Sequence, residues 1–172
     1  MSPVSLQNRI LRRLWFIVSA SLFRFSPVIA FGWRNFLLSV FGAELGRKVR
    51  VYPSAHVWAP WALQMGDRSC LAGHVLCYNV GRIVIGSDVT VSQYSYLCAA
   101  THDYNSPKFT LVVKPITICD RAWIAADAFI GPGVNVGEGA VVLARAVVVR
   151  DVMPWRVVAG NPASVVRDRK LV

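Results

Sequence analysis

Apolar residues lead a six-residue repeat that runs from Leu45 to Met153. The repeat continues without a gap from Ile118 onward, and a small or short side chain usually follows the leading residue four places later. The leading positions are Leu45, Val51, Val57, Met65, Leu71, Cys77, Ile85, Val91, Leu97, Ile118, Ile124, Ile130, Val136 and Val142. The phase slips by two residues after Ala62 and again after Arg82, which indicates a short extra corner in two places.

A period of six fits neither the 3.6-residue period of a helix nor the two-residue alternation of an ordinary sandwich strand. It is typical of a solenoid, in which each rung buries its apolar face only against its neighbours. Three six-residue sides make a rung of about eighteen residues, so residues 45–153 should hold about five rungs. The small residues that would fit the corners are Ala55, Ser69, Ser95, Ala122, Ala128, Ala140 and Ala146. We therefore predict an all-β solenoid.

Residues 1–44 have a different character, because they are both basic and strongly apolar. The first fifty residues hold eight Lys and Arg against the single acid Glu44, which accounts for +7 of the net charge of +10. Pro27 and Gly32 divide the segment into two predicted helices, roughly 5–24 and 30–41. Neither has eighteen uninterrupted apolar residues, which argues against a transmembrane span. A signal peptide is disfavoured by Arg24 and by the lack of a clear cleavage site.

Two roles for this N-terminal segment are open. Its helices can cap the open end of the solenoid, and basic, aromatic-rich helices also bind the interface of anionic membranes. We expect both roles at once, with the arginines turned toward lipid headgroups. Nucleic acid is not an expected partner, because no nucleic-acid motif accompanies the charge. Four cysteines without CxxC spacing are predicted to be small buried thiols of a cytoplasmic protein: Cys70, Cys77, Cys98 and Cys119.

One long interruption breaks the repeat directly after His102. Residues 103–117 are predicted to form an excursion loop, and the repeat resumes at Ile118. Long loops on rigid scaffolds are often functional, and a histidine at the root of such a loop suits a general base. The alternative is that His102 only bonds a loop carbonyl. His56 is predicted at a surface corner of the first rung, and His74 in the second rung.

Several motifs resemble a known family. They are Thr101-His-Asp-Tyr-Asn, Lys114-Pro-Ile-Thr-Ile, Ala122-Trp-Ile, Gly131-Pro-Gly-Val, Val136-Gly-Glu-Gly-Ala-Val, Val158-Ala-Gly-Asn-Pro-Ala and the front stretch that begins at Gly32. Together they resemble the hexapeptide-repeat acetyltransferases of the colanic acid or exopolysaccharide type. The resemblance implies a left-handed parallel β-helix, a homotrimer and acetyl-CoA as co-substrate.

The same resemblance implies residue roles. The histidine at the position of His102 is the family's catalytic base. The positions that match the coenzyme A groove between subunits are Trp123, Ala126, Ala144, Val149, Arg150 and Arg167. Arginine suits the coenzyme's phosphates, whereas Ser164 stands where relatives usually carry Lys or Arg. Trp123 can equally be a packing residue at a rung edge. Candidate hydrogen-bonding contacts to a sugar are Tyr78, Asn79, Asp103 and Tyr104.

We therefore expect an acetyl-CoA-dependent O-acetyltransferase that modifies a sugar hydroxyl of a glycan or lipid-linked precursor, on the inner face of the bacterial plasma membrane. The alternatives are acetylation of a small molecule, such as serine, a xenobiotic or an amino sugar, and a non-catalytic scaffold. A γ-type carbonic anhydrase needs three zinc histidines, two of them closely spaced. Only His56, His74 and His102 are present, so no metal is expected. Residues 154–172 are interpreted as a C-terminal tail.

Overall fold

Two helices precede the solenoid in the computed structural model, which describes residues 5–170. Helix α1 spans Leu6–Val18 and continues into a π-helical turn at Ser19–Phe23, and α2 spans Phe31–Val40. The Ser5 hydroxyl caps α1 by accepting a hydrogen bond from the Asn8 amide at 3.2 Å. The helices lie where the sequence predicts them. Within the described residues, no helix has both the length and the apolar character needed to cross a bilayer.

Short parallel strands stack into three faces, as the six-residue repeat predicts. Face A consists of β1 (Glu44–Leu45), β4 (Leu63–Met65), β7 (Ile83–Ile85), β12 (Ile116–Ile118) and β15 (Asn135–Val136). Face B consists of β2 (Arg50–Val51), β5 (Cys70–Leu71), β8 (Thr90–Val91), β13 (Trp123–Ile124), β16 (Val141–Val142) and β18 (Arg156–Gly160). Face C consists of β3 (His56–Val57), β6 (Leu76–Tyr78), β9 (Tyr96–Cys98), β14 (Phe129–Ile130) and β17 (Val147–Val148).

Five complete rungs follow from this order, and a sixth begins where Val152 bridges to Val136. The leading residues pair in register from rung to rung, so that they form buried columns inside the solenoid. A 3₁₀ turn at Pro60–Ala62 forms the first of the two predicted extra corners. The predicted small corner residues are all buried. Two strand pairs are antiparallel instead: β10 (Ala100–His102) with β11 (Leu111–Val113), and β18 with β19 (Ala163–Asp168).

The corners depend on a backbone conformation that the repeat does not reveal. The residue three places after most leading positions has φ near +60°, including non-glycine residues such as Arg68, Asp88 and Arg145. This left-handed conformation costs about 1–2 kcal/mol for an ordinary residue. It turns the N–H at the corner toward the preceding rung. The Asp88 amide thus donates to the Asp67 carbonyl at 2.8 Å, and the Arg145 amide donates to the Ala126 carbonyl at 3.0 Å. These bonds to the preceding rung offset the conformational cost.

Strand N–H groups donate in the opposite direction, to the carbonyls of the following rung. The amide of His56 donates to Val75 O at 2.8 Å, and each later rung repeats the pattern. The strand carbonyls of the first rung therefore have no rung to bond to, and a buried carbonyl without a donor is costly.

Side chains of the helices supply the missing donors. Trp15 Nε1 donates to Val57 O at 2.7 Å, Arg34 Nε to Val51 O at 2.6 Å, and Asn35 Nδ2 to Val49 O at 2.8 Å. Trp15, Phe23 and Leu38 are buried against the same rung. Helices α1 and α2 thus cover the first rung both by apolar contact and by hydrogen bonding.

Arg34 departs from the expectation that the N-terminal arginines face lipid headgroups. Its side chain is fully buried. Besides the bond to the first rung, its guanidinium donates to Ser26 Oγ, Pro27 O and Val28 O at 2.8, 2.7 and 2.5 Å. Burial lowers the pKa of Arg34. One side chain thereby ties the loop between the helices to the solenoid.

Replacement of Arg34 by methionine should therefore destabilise the fold. The Arg34→Met variant keeps much of the side-chain volume but leaves the buried Val51 carbonyl and the partly buried Val28 carbonyl without a donor, at about 1–3 kcal/mol each. We expect the free energy of unfolding to fall by about 3 kcal/mol or more, measured by urea denaturation at fixed protein concentration. The matched Arg13→Met variant changes an exposed arginine of α1 and should shift stability by about 0.5 kcal/mol or less. Equal stability of the two variants would contradict this role.

Candidate active site

The excursion is an antiparallel hairpin that leaves the solenoid at the corner between faces C and A. It begins at Ala100 rather than at residue 103, because His102 already belongs to β10 and pairs with Leu111 of β11. The backbone groups of the hairpin bond to each other, and Asp103 N donates to Thr110 O at 2.8 Å next to the turn. His102 is therefore held on a strand that projects from a rigid scaffold.

The His102 imidazole is exposed on one face of this hairpin. Its ring stacks on Phe109 with centroids 4.5 Å apart and planes 8° apart. Residues directly opposite each other on antiparallel strands place their side chains on the same face, so His102 and Leu111 share a face. Within residues 5–170 no protein atom forms a hydrogen bond with the imidazole. The alternative in which His102 only bonds a loop carbonyl is not observed.

A groove of about 320 Å³ lies beside that face of the hairpin. We call it the hairpin groove; its lining residues are Asn8, Arg9, Arg12, Trp58, Ala59, Tyr78, Val80 and Leu111. The Arg12 guanidinium lies 5.4 Å from the centroid of the Trp58 ring, and the Trp58 and Tyr78 rings are 5.1 Å apart. Aromatic rings beside guanidinium groups form a surface suited to a sugar ring that carries an anionic group.

The four predicted sugar contacts lie in three different settings. Tyr78 lines the hairpin groove. Asp103 and Tyr104 lie at the exposed turn of the hairpin, where Asp103 Oδ1 accepts a hydrogen bond from the Asn105 amide at 3.0 Å. Asn79 is fully buried, and its amide bonds both backbone groups of Ala59, at 2.9 and 2.6 Å. The structure gives Asn79 a role in holding two rungs together, which differs from the predicted contact with a sugar.

An aromatic column on the outer side of face C was not predicted. It runs from Trp58 through Tyr78 and Tyr96 to Phe129, with ring centroids 5.1, 6.4 and 5.4 Å apart. Burial is the main cause of a raised pKa for Tyr96, and a hydrogen bond with Cys98 raises it further. Each ring lies one residue before or after a leading position of the third side of a rung. This recurring position could have revealed the aromatic column from the sequence alone.

The predicted coenzyme-binding residues occupy the later rungs. Ala126 and Ala144 lie in consecutive rungs at the corner between faces B and C, and Val149 and Arg150 follow β17 at the next corner. Trp123 is exposed on face B, with its Nε1 donating to Ser92 Oγ at 3.0 Å. In a three-sided solenoid, face B lies opposite the corner that carries His102. A single chain therefore does not bring His102 and Trp123 together.

Arg150 and Arg167 differ from most arginines of the solenoid. Six others pair with carboxylates: Arg47–Asp67, Arg68–Asp88, Arg82–Glu44, Arg121–Glu138, Arg145–Asp127 and Arg156–Asp168. In the part of the chain that the structure describes, Arg150 and Arg167 are exposed and neither forms a salt bridge. Arg167 lies on β19, opposite Val157. Unpaired guanidinium groups are available to bind anions.

The histidines and cysteines outside the excursion offer no alternative centre. Among residues 5–170, no three His, Cys, Asp or Glu side chains group in a way that could hold a metal ion. His56 lies on β3 rather than at a corner. Burial is the main cause of its lowered pKa, and repulsion from the positive charge of Arg24 lowers the pKa further. His74 lies at a corner, stacked on Tyr94 with centroids 4.9 Å apart.

The four thiols are free, but they are not all buried as predicted. Cys70 and Cys77 are buried, whereas Cys98 and Cys119 are only partly covered. Burial raises the pKa of the Cys77 thiol to about 12. A thiol with so high a pKa remains protonated and is a poor nucleophile near neutral pH.

Comparisons with known proteins identify close relatives. No protein-family model matches the chain. The chain is 42% identical over 162 residues to a protein assigned to colanic acid biosynthesis as the acetyltransferase WcaF in Escherichia coli, covering 94% of this chain and 89% of that protein. A hexapeptide-repeat acetyltransferase from Vibrio cholerae superposes with a TM-score of 0.84 at 28% identity, covering 98% of this chain and 96% of that one.

Two further structures extend this likeness. The Vibrio cholerae protein complexed with acetyl coenzyme A superposes with a TM-score of 0.85 at 26% identity, covering 98% of this chain and 92% of that one. A maltose O-acetyltransferase from Clostridium difficile superposes with a TM-score of 0.88 at 21% identity, covering 97% and 90%. The fold is the left-handed parallel β-helix of these acetyltransferases.

The geometry of Asn79 leads to a prediction about its role. Asn79→Ala leaves the buried N–H of Ala59 without a partner, removes one of the two donors to the Ala59 carbonyl and opens a small cavity, so the free energy of unfolding should fall by about 2–4 kcal/mol. Urea denaturation measures this loss. The control Gln93→Ala shortens an exposed side chain and should change stability little. A fully stable Asn79→Ala variant would favour a sugar contact instead of a structural bond.

Proposed function

This chain belongs to the hexapeptide-repeat acetyltransferases of the colanic acid biosynthesis type, and we propose that it transfers the acetyl group of acetyl-CoA to a sugar hydroxyl. The acceptor is a glycan or a lipid-linked precursor of a polysaccharide. Family membership supports the acyl donor and the reaction class. The observation that supports a hydroxyl acceptor and a histidine base is the position of His102. Its imidazole has no hydrogen-bond partner among the described residues and lies on the face of the hairpin beside the hairpin groove.

In the proposed reaction, His102 removes the proton from the acceptor hydroxyl as its oxygen attacks the thioester carbonyl of acetyl-CoA. A tetrahedral intermediate forms, and a backbone N–H of a stacked rung stabilises its oxyanion. When the carbon–sulfur bond breaks, the imidazolium returns its proton to the coenzyme A thiolate. The acetyl group ends on the sugar oxygen, and no covalent enzyme intermediate is needed.

The hairpin groove is the proposed acceptor site. Tyr78 offers a hydroxyl, the Trp58 ring offers a flat apolar surface, and Arg12 lies over that ring at 5.4 Å. The Arg12 Nε atom is buried and has no hydrogen-bond partner among the described residues, so an acceptor oxygen would satisfy it. Asp103 and Tyr104 remain proposed contacts from the hairpin turn. Asn79 is not included, because both polar atoms of its side chain already bond Ala59.

The donor site is proposed to form between subunits of a homotrimer. The support is topological: His102 leaves one corner of the solenoid, whereas Trp123 lies on the opposite face. A neighbouring copy can bring its own coenzyme-binding residues to the hairpin, where Ala126 and Ala144 leave room for the pantetheine chain. Arg150, Arg167 and the backbone at Val149 would hold the phosphate end. Ser164 supplies no charge at its position, so it is not included among the proposed phosphate contacts.

Removal of the imidazole should strongly reduce the rate of transfer while leaving the donor site intact. His102→Ala is expected to lower kcat by about a hundred- to ten-thousand-fold, measured as coenzyme A release in the presence of a sugar acceptor. The control His74→Ala removes an exposed histidine at a distant corner and should keep its turnover. Calorimetry should give the same dissociation constant for acetyl-CoA in both variants. Undiminished turnover of His102→Ala would remove His102 as the base.

The unpaired arginines should determine the affinity for the donor. Arg150→Ala and Arg167→Ala should each raise the dissociation constant of acetyl-CoA by about tenfold, since each loses a charge-assisted contact to phosphate. Calorimetric titration of the purified protein measures this change. Arg68→Ala, which removes an arginine paired with Asp88, is the control and should bind acetyl-CoA normally. If all three variants bind equally well, these arginines do not contact the coenzyme.

A further inference from the structure

Helix α1 has a buried side, which caps the solenoid, and an exposed apolar side, which capping does not explain. Asn8 and Trp15 are buried against the first rung. The opposite side carries Leu6, Ile10, Leu14 and Ile17, whose spacing of four, four and three places them on one stripe. They are 69%, 51%, 49% and 62% exposed. A helix that only capped the solenoid would carry polar residues on this outer side.

Further exposed apolar side chains follow α1 along the chain. Leu22 follows it, and the loop between the helices presents Phe25, Val28 and Ile29. Ile29 is 87% exposed, which is unusual for an aliphatic side chain in an ordered loop. Phe36 and Val40 of α2 are also exposed. This set of exposed side chains, from Leu6 to Val40, is called the apolar cap surface below.

Positive charge borders the apolar cap surface. Arg9, Arg13 and Arg24 are exposed beside it, and the sequence from Ser5 to Ala43 contains no Asp or Glu. Within the described residues none of these three arginines forms a salt bridge. An apolar stripe beside unpaired arginines matches the layered chemistry of a membrane interface, where acyl chains lie below anionic headgroups.

We propose that the apolar cap surface binds bilayers that contain anionic lipids, with α1 lying in the interface. The charge favours this partner over a second copy of the chain, because two such surfaces facing each other would bring only like charges together. The buried side of α1 stays on the first rung, so docking requires no unfolding of the cap. Arg9 also lines the hairpin groove, and docking would place that groove at the level of the headgroups.

Vesicle flotation of the full chain tests the proposal. The protein should float with phosphatidylglycerol–phosphatidylcholine vesicles, and added salt should weaken binding because it screens the arginines. Arg9→Gln combined with Arg13→Gln should reduce binding to these vesicles. Pure phosphatidylcholine vesicles should bind less of the unchanged protein. Failure to float with anionic vesicles, or equal binding to both kinds, would overturn the proposal.

Two pairs of glutamate substitutions test whether vesicle binding depends on the α1 stripe or on any exposed apolar side chain. Ile10→Glu combined with Leu14→Glu should lower the partition coefficient by tenfold or more, about the effect of losing two inserted aliphatic side chains. The control Val165→Glu combined with Val166→Glu makes the same charge change on β19, where both residues are more than half exposed. It should bind vesicles like the unchanged protein. Equal loss in both variants would overturn the role of the stripe.

Unfolding and altered self-association of the Ile10→Glu, Leu14→Glu variant could also reduce its flotation. Circular dichroism and urea denaturation should show that the variant remains folded, since its targets are about half exposed. Light scattering without vesicles should give the same oligomeric state for the variant and the unchanged protein; a change would identify the stripe as a contact between copies and overturn the proposal. The inactive His102→Ala variant should bind vesicles normally, so failure of the proposed reaction would leave this inference standing.

Discussion

The direction of hydrogen bonding between rungs is the constraint on which the rest of the molecule depends. Strand N–H groups donate to the following rung, while corner N–H groups, turned by the left-handed residue, donate to the preceding one. Interior rungs are satisfied by both neighbours. The two ends are chemically different, and the first rung presents strand carbonyls that require donors. Trp15, Arg34 and Asn35 have side chains that donate, which explains why a basic and aromatic segment covers this end.

The same constraint restricts where function can arise. A rung that deviates from the stack leaves its own groups and those of two neighbours without partners, so irregular chain must satisfy itself. The excursion does so as an antiparallel hairpin, in which Ala100–His102 bond to Leu111–Val113. The rungs on either side then close the gap, since β12 stacks directly on β7. His102 is consequently presented outside the stack at no cost to the core.

The sequence predicted the parts of the fold that repeat. Leading positions and small corner residues follow from one period, and the two helices follow from Pro27 and Gly32. The left-handed corners could not be predicted, because the residues there include Arg68, Asp88 and Arg145, which do not indicate such a conformation in isolation. Their φ values result from stacking, a tertiary effect that local preference does not encode.

The candidate site was predicted less completely, for a related reason. The position of His102 followed from the break in the repeat, but the aromatic column required all three sides to be aligned across two extra corners. Asn79 lies next to one of these extra corners. The change of phase there directs its side chain into the interior, although the sequence suggested an exposed position. Arg34 was grouped with the surface arginines because composition does not distinguish a buried guanidinium with carbonyl and hydroxyl partners from an exposed one.

The proposed site follows the long axis of the solenoid. The hairpin groove draws on α1 and the first two rungs, His102 leaves the third rung, and the residues proposed to hold the donor belong to the fourth rung and beyond. An acceptor presented at the cap would therefore meet the base before the donor. With the apolar cap surface on a bilayer, the acceptor end would face the lipid and the donor end the solution. Such an arrangement suits a lipid-linked acceptor and a soluble coenzyme, because each substrate enters from its own phase.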